Sequence, residues 1–449
     1  MKPDHSLRRV IGQLREFLRW PSISTDPAHR RDVAGCARWL AAHLRSIGLN
    51  AVLHPTPGHP VVLARGPRQP GAPTVLIYGH YDVQPPDPLE LWQSLPFEPT
   101  VRGCKLFARG AADNKGQVFA HIAAVGQALR EPSANLPNIL FLIEGEEEIG
   151  SPSIEPFLRA PRRELRPDVI VVSDTSMFAK HLPTITSSLR GVVAFELRVR
   201  GPARDLHSGI FGGTVANPAA VLARLIAALH DPRTGRVRVP GFYGGVRPLS
   251  AAQRRAWRRL PFDEERYRRA LGVPQLAGEA GFTALERRWA RPTLEVNGIF
   301  GGYQGEGSKT VIPSWAGAKF TARLVPNQSP QRVLGAVKRH LRTIAPPTVK
   351  LEFIAGHSAE PYVAPADSRY LKAAMQALRA VWSREPVLVG EGGSIPIITS
   401  FKKILGADSL MIGFGLPDAN AHSPNESLDL DVFARAIQAS RRLLAELAR

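Results

Sequence analysis

Thr74-Val75-Leu76-Ile77-Tyr78 runs directly into Gly79-His80-Tyr81-Asp82, and the same pattern appears twice more downstream. Asn138-Ile139-Leu140-Phe141-Leu142-Ile143 leads into Glu144-Gly145-Glu146-Glu147-Glu148, and Asp168-Val169-Ile170-Val171-Val172-Ser173 leads into Asp174. Short apolar runs bounded by Gly, Pro and Asp read as parallel strands buried on both faces. Open α/β sheets bind ligands in the crevice beyond the carboxyl ends of their strands. One imidazole and several carboxylates are therefore expected to converge on one sheet edge, a donor set that suits a borderline divalent cation such as zinc.

Outward from these runs, strand-like pieces at 51–53 and 61–64 and helical spacing at 6–20, 31–48 and 117–130 give an alternating β/α order. In the second helix Val33, Ala37, Leu40 and Leu44 supply an apolar face, and Gly48 is placed to stop it. The texture changes near Ser187. Strands with partial alternation at 192–199 and 318–325, a strand at 348–354, and helices at 218–230 and 330–344 predict a small sheet covered by helices on one face. The Arg-rich stretch 250–292 reads as an insertion within it. The first texture returns with a helix at 370–382, a strand at 409–414 and a terminal helix at 431–447. The fold class expected is α/β: a mostly parallel catalytic domain formed by 1–186 and 359–449, interrupted by an inserted α+β domain at 187–358.

The chain has 449 residues, 44% of them hydrophobic and 22% charged, which fits a globular protein with a sizeable core. No apolar run is long enough to span a membrane. Residues 1–20 carry charges throughout and lack the apolar centre of a signal peptide. Cys36 and Cys104 are the two cysteines, too few for a disulfide framework, so a cytoplasmic location is expected. The net charge of +19 raises the question of nucleic acid. Of the 58 basic residues 47 are Arg, scattered along the chain. The densest group, from Arg254 to Arg269, is interrupted by Pro261 and balanced by Asp263, Glu264 and Glu265, so a solvated helical face is the preferred reading and no nucleic-acid partner is expected.

Each polar motif has an ordinary explanation when taken alone. His80 and Asp82 suit a surface turn, Asp113 in Asp113-Asn114-Lys115-Gly116 suits a helix N-cap, and Glu146-Glu147-Glu148 suits a solvated loop. Their shared position beyond apolar strands, repeated by Asp174 and His422, argues for a site. Extended backbone points the side chains of His80 and Asp82 the same way, so Asp82 can orient a metal-bound His80. Three adjacent carboxylates at a core edge also need a cation or a shared proton.

Gly79-His80-Tyr81-Asp82-Val83, Arg109-Gly110-Ala111-Ala112-Asp113-Asn114-Lys115-Gly116, Glu144-Gly145-Glu146-Glu147-Glu148-Ile149-Gly150-Ser151 and Ala421-His422-Ser423 resemble the dinuclear zinc peptidases of the aminoacylase and carboxypeptidase G family. Asp205-Leu206-His207-Ser208-Gly209, Lys309-Thr310-Val311-Ile312-Pro313, Arg323-Leu324-Val325-Pro326 and Glu391-Gly392-Gly393-Ser394-Ile395-Pro396 look most like its cytosolic dipeptidase and carnosinase branch. The resemblance implies two divalent metals, Zn²⁺ before Mn²⁺ or Co²⁺. His80 and Asp174 would hold one, Glu148 and His422 the other, and Asp113 both, ahead of a cis peptide to Asn114. Glu147 would be the general base acting on a water that bridges the metals, with Glu146 left without a role. His207 would stabilise the oxyanion from the partner subunit of a homodimer, the inserted domain serving as lid and dimer surface. Arg323 would grip the terminal carboxylate of a small peptide. Gly393 and Ser394, with Gly392, would bind the same end, while Asn217, Thr310 and His357 complete the expected substrate contacts.

The implied activity is hydrolysis of dipeptides or short peptides with a free C-terminal carboxylate. An N-acyl- or N-carbamoyl-amino-acid amidohydrolase would use the same centre. A non-catalytic binding protein is the reading from outside the enzymes.

Overall fold

The computed structural model describes residues 5–132, 134–160 and 165–449. Residues 1–4, the start of the charged N-terminal stretch, lie outside them. The strands used below are β1 (Asn50–His54), β2 (Val61–Arg65), β3 (Thr74–His80), β4 (Asn138–Glu144), β5 (Val169–Val172), β6 (Thr184–Leu189), β7 (Gly191–Arg200), β8 (Thr293–Gly301), β9 (Trp315–Leu324), β10 (Lys350–Ala359) and β11 (Asp408–Gly413). The helices are α1 (His5–Leu18), α2 (Arg30–Ser46), α3 (Lys115–Ala128), α4 (Pro218–Ala228), α5 (Pro330–Ile344), α6 (Arg369–Trp382) and α7 (Leu430–Leu447). The chain divides into two compact units. The first is Met1–Ser187, Ala364–Val389 and Ser400–Arg449; the second is Ser188–Val363 and Gly390–Thr399.

In the first unit the strands run in the order β1-β2-β4-β3-β5-β11-β6. The central neighbours β4/β3, β3/β5 and β5/β11 are parallel, and β1/β2, β2/β4 and β11/β6 are antiparallel. The sheet is therefore mixed, with a parallel centre. The continuous apolar runs occupy that centre because both of its faces are covered: β3, β4 and β5 are buried almost end to end. α3 is buried on nearly every side, which matches its Ala and Val content and its lack of a polar face. α1 and α2 each bury one apolar stripe, and Gly48 ends the second region at φ +101, a left-handed conformation that glycine adopts without steric cost.

The second unit is built on an antiparallel sheet in the order β8-β9-β7-β10. Alternate residues of β7 and β9 point into a core shared with α4 and α5, where Phe195 and Phe320 stack with ring centres 4.9 Å apart. Much of β8 and β10 remains exposed, as a sheet covered on one face requires. The Arg-rich insertion folds into short helices at Ala251–Arg258, Glu264–Ala270 and Ala284–Ala290, each started by a side-chain cap from Ser250, Asp263 or Thr283. Gly390–Thr399, which the sequence reading places with the C-terminal part of the catalytic domain, groups with the second unit. It is tied there by the Arg190 Nε donating to the Gly392 carbonyl at 2.9 Å and by Arg323 donating to the Ser394 hydroxyl at 3.1 Å.

Phe320 is 1% exposed at the centre of the second core. Phe320→Ala is expected to cost about 3–5 kcal/mol through lost burial and the cavity left behind. Chemical denaturation followed by tryptophan fluorescence measures it, and a loss near zero would contradict this packing.

Candidate metal centre and active site

β3 delivers His80, fully buried, to the carboxyl edge of the first unit's sheet. The preceding Gly79 is required by close approach. A Cβ there would lie 2.8 Å from Asn114 Oδ1 and 2.7 Å from the Val118 side chain. The His80 Nδ1 lies 3.1 Å from the Asp82 carbonyl oxygen and 3.3 Å from Asp82 Oδ1. A proton held on Nδ1 by these acceptors leaves Nε2 with a free lone pair. Asp82 also receives the Ser24 hydroxyl on Oδ2 at 2.7 Å and the backbone N–H groups of Glu147 and Glu148 at 3.3 and 3.1 Å. One buried carboxylate thus fixes both the imidazole and the short 3-10 turn, Glu147–Ile149, that carries two acidic side chains.

Around His80 Nε2 lie Asp113 Oδ1 at 3.2 Å, Asp174 Oδ1 at 3.7 Å and Glu147 Oε2 at 4.0 Å. The other oxygen of Asp113 is 2.9 Å from His422 Nε2, which is also 3.4 Å from Glu148 Oε2. Asp113 therefore stands between two imidazoles, one oxygen to each. His422 reaches this position with φ +60, a left-handed conformation that is uncommon for a residue other than glycine. The Asp113–Asn114 peptide is cis. Asn114 donates through Nδ2 to the Ser173 carbonyl at 2.6 Å and to Asp174 Oδ1 at 2.9 Å, which aims Asp174 at the cluster.

The charges do not balance within the cluster. Burial and then the neighbouring Asp113 carboxylate push the Asp174 carboxyl up, and burial together with Asp174, Glu148 and Asp113 holds Glu147 well above the usual range. Burial alone would lower His80, but Asp113, Asp174 and Asp82 outweigh it and raise its pKa well above the ordinary value. Asp113 and Glu148 push His422 up to about 10. Burial works against the Asp113 carboxylate, yet the two imidazoles hold its pKa far down. Glu148 Oε1 is buried with no hydrogen-bond partner among the described residues. Four carboxylates, two imidazoles and one orphaned carboxylate oxygen fit divalent cations, which relieve the repulsion directly. Ligand atoms of His80, Glu147 and Asp174 lie within 4.8 Å of one another, as do those of His80, Asp113 and Glu148. Oxygen and imidazole donors without thiolate suit zinc, manganese or cobalt.

Several residues to which the sequence reading assigns no role build this centre. Glu426, fully buried, accepts from Arg109 at 2.7 Å and from the backbone N–H groups of Gly110, Ala112 and Asp113 at 3.0, 2.8 and 2.9 Å. It moulds the loop that presents Asp113. Gln84 donates to Glu148 Oε2 at 2.8 Å. Glu146, left without a role by the motif, is buried and accepts the His59 N–H at 3.0 Å, so it anchors the loop instead of facing solvent. Glu144 takes the hydroxyls of Tyr78 and Ser151, and burial pushes its pKa up to about 7.

The remaining expected site residues lie in the second unit. His207 is exposed, and its Nδ1 accepts the Gly209 N–H at 3.0 Å, which leaves the proton on Nε2 in the neutral ring. The adjacent Ser208 N–H donates to the Thr310 carbonyl at 3.0 Å, so His207 and Thr310 are neighbours. Asn217 spends its side-chain oxygen capping α4 through the Ala219 N–H. His357 lies on an exposed stretch of β10 where the register slips between Ala355 and Ser358. The N–H groups of Gly392 and Gly393, expected to be substrate donors, are taken up by the Glu391 carboxylate at 2.6 and 3.2 Å. The Ser394 hydroxyl donates to the Arg190 carbonyl while accepting from Arg323.

Glu426→Ala would leave Arg109 buried and unpaired. The expected loss is about 3–5 kcal/mol of stability, with Glu426→Gln losing less because its shape is kept. Denaturation midpoints of the two variants test this, and equal, negligible losses would contradict the moulding role.

The sequence profile of peptidase family M20/M25/M40 matches residues 76–446. A Cys-Gly metallodipeptidase of Schizosaccharomyces pombe is 34% identical over 99% of this chain and 97% of its own length. Two solved structures are similar throughout. An M20 family metallo-carboxypeptidase from Sulfolobus solfataricus has a TM-score of 0.84 at 34% identity, with 99% of this chain and 100% of that one covered. Human carnosine dipeptidase 1 has a TM-score of 0.80 at 31% identity, with 98% and 96% covered. The chain belongs to peptidase family M20/M25/M40 and is a metal-dependent hydrolase.

Proposed function

We propose that the protein cleaves dipeptides, or short peptides with a free C-terminal carboxylate, using two zinc ions. The observation that carries this reading is Asp113, set between His80 and His422 with Glu147, Glu148 and Asp174 around it. Relatives bearing the names Cys-Gly metallodipeptidase and Beta-Ala-His dipeptidase support the substrate class.

His80 and Asp174 would hold one ion, Glu148 and His422 the other, and Asp113 both. Bound there, the ions supply Lewis acidity toward the scissile carbonyl and lower the pKa of a water. Asp82 keeps the His80 ring in the ligating tautomer and holds the Glu147 turn in place. Glu147, whose Oε2 stands 4.0 Å from His80 Nε2 and which the motif sets directly before Glu148, is assigned as the general base. It accepts the proton of the attacking water and returns it to the departing amine, a transfer that needs a carboxylate in reach of both. His207 donates its Nε2 proton in a hydrogen bond to the oxyanion, acting from the partner subunit of a homodimer. Arg323 grips the terminal carboxylate through two parallel N–H groups. Thr310, Asn217, Gly393, Ser394 and His357 are assigned to the remaining substrate contacts, the second unit being lid and dimer surface. Two free cysteines, Cys104 exposed and Cys36 buried, fit a reducing cytoplasm.

The test uses protein stripped with chelator and reloaded with zinc, manganese or cobalt. Metal-dependent release of amino acids from dipeptides is expected; turnover confined to N-acetyl or N-carbamoyl amino acids would make the protein a deacylase. Glu147→Gln is expected to keep its metal content while losing about 10²-fold or more in turnover. Wild-type turnover in that variant would remove Glu147 from the base role.

A further inference from the structure

A cavity of about 790 Å³ in the second unit gathers arginines from distant parts of the chain. Arg190 comes from the segment before β7, Arg323 from β9, Arg287 and Arg288 from the last helix of the Arg-rich insertion, and Arg291 from the residue that follows it. Two of these are spent on structure. Arg291 forms a two-pronged pair with Glu279 at 2.8 Å, and Arg287 donates to the carbonyls of Glu279 and Ala277.

The other three have no carboxylate within salt-bridge distance among the described residues. Arg190 donates to the Gly392 and Arg291 carbonyls, and Arg323 to the Ser394 hydroxyl. Arg288 is exposed, with its guanidinium over the Tyr267 ring at 5.6 Å. The three repel one another: burial first, then Arg323 and Arg288 against the pull of Glu391, bring Arg190 down to about 10. Of the three acids on the cavity wall, Asp231 pairs with Arg238 and Glu279 with Arg291, and Glu295 is exposed. A single terminal carboxylate neutralises one guanidinium and leaves the excess standing.

We propose that this cavity selects substrates whose C-terminal residue is itself acidic, with the α-carboxylate on Arg323 and the side-chain carboxylate of Asp or Glu on Arg288. The inference rests on the reading of Arg323 as the terminal-carboxylate residue. Arg190, held by backbone carbonyls, keeps the wall positive and Arg288 sets the preference, because its guanidinium is exposed and uncommitted to an acid. The amide analogues Gln and Asn have nearly the same shape but offer no charge, so they isolate the electrostatic part.

The experiment is steady-state kcat/KM of the metal-loaded enzyme on Ala-Glu, Ala-Gln, Ala-Asp and Ala-Asn at low and high salt. Each acidic substrate is expected to exceed its amide by about tenfold or more, with the ratio shrinking as salt rises. Arg288→Gln is expected to bring the ratio close to one, and Arg288→Lys to retain part of it. A wild-type ratio near one, a ratio unchanged by Arg288→Gln, or an equal loss on acid and amide would overturn the proposal. Turnover of all four without preference would sink this inference alone. Turnover of none, with metal bound, would sink the dipeptidase reading beneath it.

Discussion

Four carboxylates are held against two imidazoles at the end of the buried parallel centre of a mixed sheet, and much of the first unit serves to keep them there against mutual repulsion. Asp113 contacts both rings, and Glu147, Glu148 and Asp174 crowd around them. Like charges this close raise one another's proton affinity unless a cation is present. The supporting shell is correspondingly polar and buried. Asp82 ties an imidazole to the Glu147 turn, Asn114 aims Asp174, and Glu426 clamps the loop before Asp113. Such outer contacts orient ligands and tune the metal as much as the ligands do.

The second unit is built on different physics. Its antiparallel sheet buries one face against α4 and α5 and leaves polar groups along the other. Arg323, Ser394 and Arg190 form a chain of hydrogen bonds there, and the Arg-rich insertion adds Arg288 to the same cavity wall. The arginines behind the chain's +19 charge are not all placed alike. Arg268 and Arg269 share Glu265 on a solvated helix, whereas Arg190, Arg288 and Arg323, with no salt bridge among the described residues, concentrate charge in one place.

The parallel centre was legible in the sequence because burial on both faces demands unbroken apolar runs, and β3, β4 and β5 have them. His80, Asp113, Glu147, Glu148 and Asp174 were legible because each follows such a run or opens the helix behind it. β6 and β8 were missed, since Thr184–Leu189 is rich in hydroxyls and Thr293–Gly301 has an exposed middle without clean alternation. Glu426 was invisible for another reason. It acts on Asp113 across 313 residues, brought there by the pairing of Ser427–Asp429 with Lys105–Phe107, and no local pattern encodes that encounter. The Gly392 and Gly393 amides looked free in sequence, but Glu391 lies close enough to claim them both.

The most direct test is anomalous diffraction at the zinc absorption edge from crystals of the zinc-loaded protein. The account predicts two peaks in the first unit, one beside His80 and Asp174, the other beside His422 and Glu148, with Asp113 touching both. A single peak, or peaks away from Asp113, would contradict it.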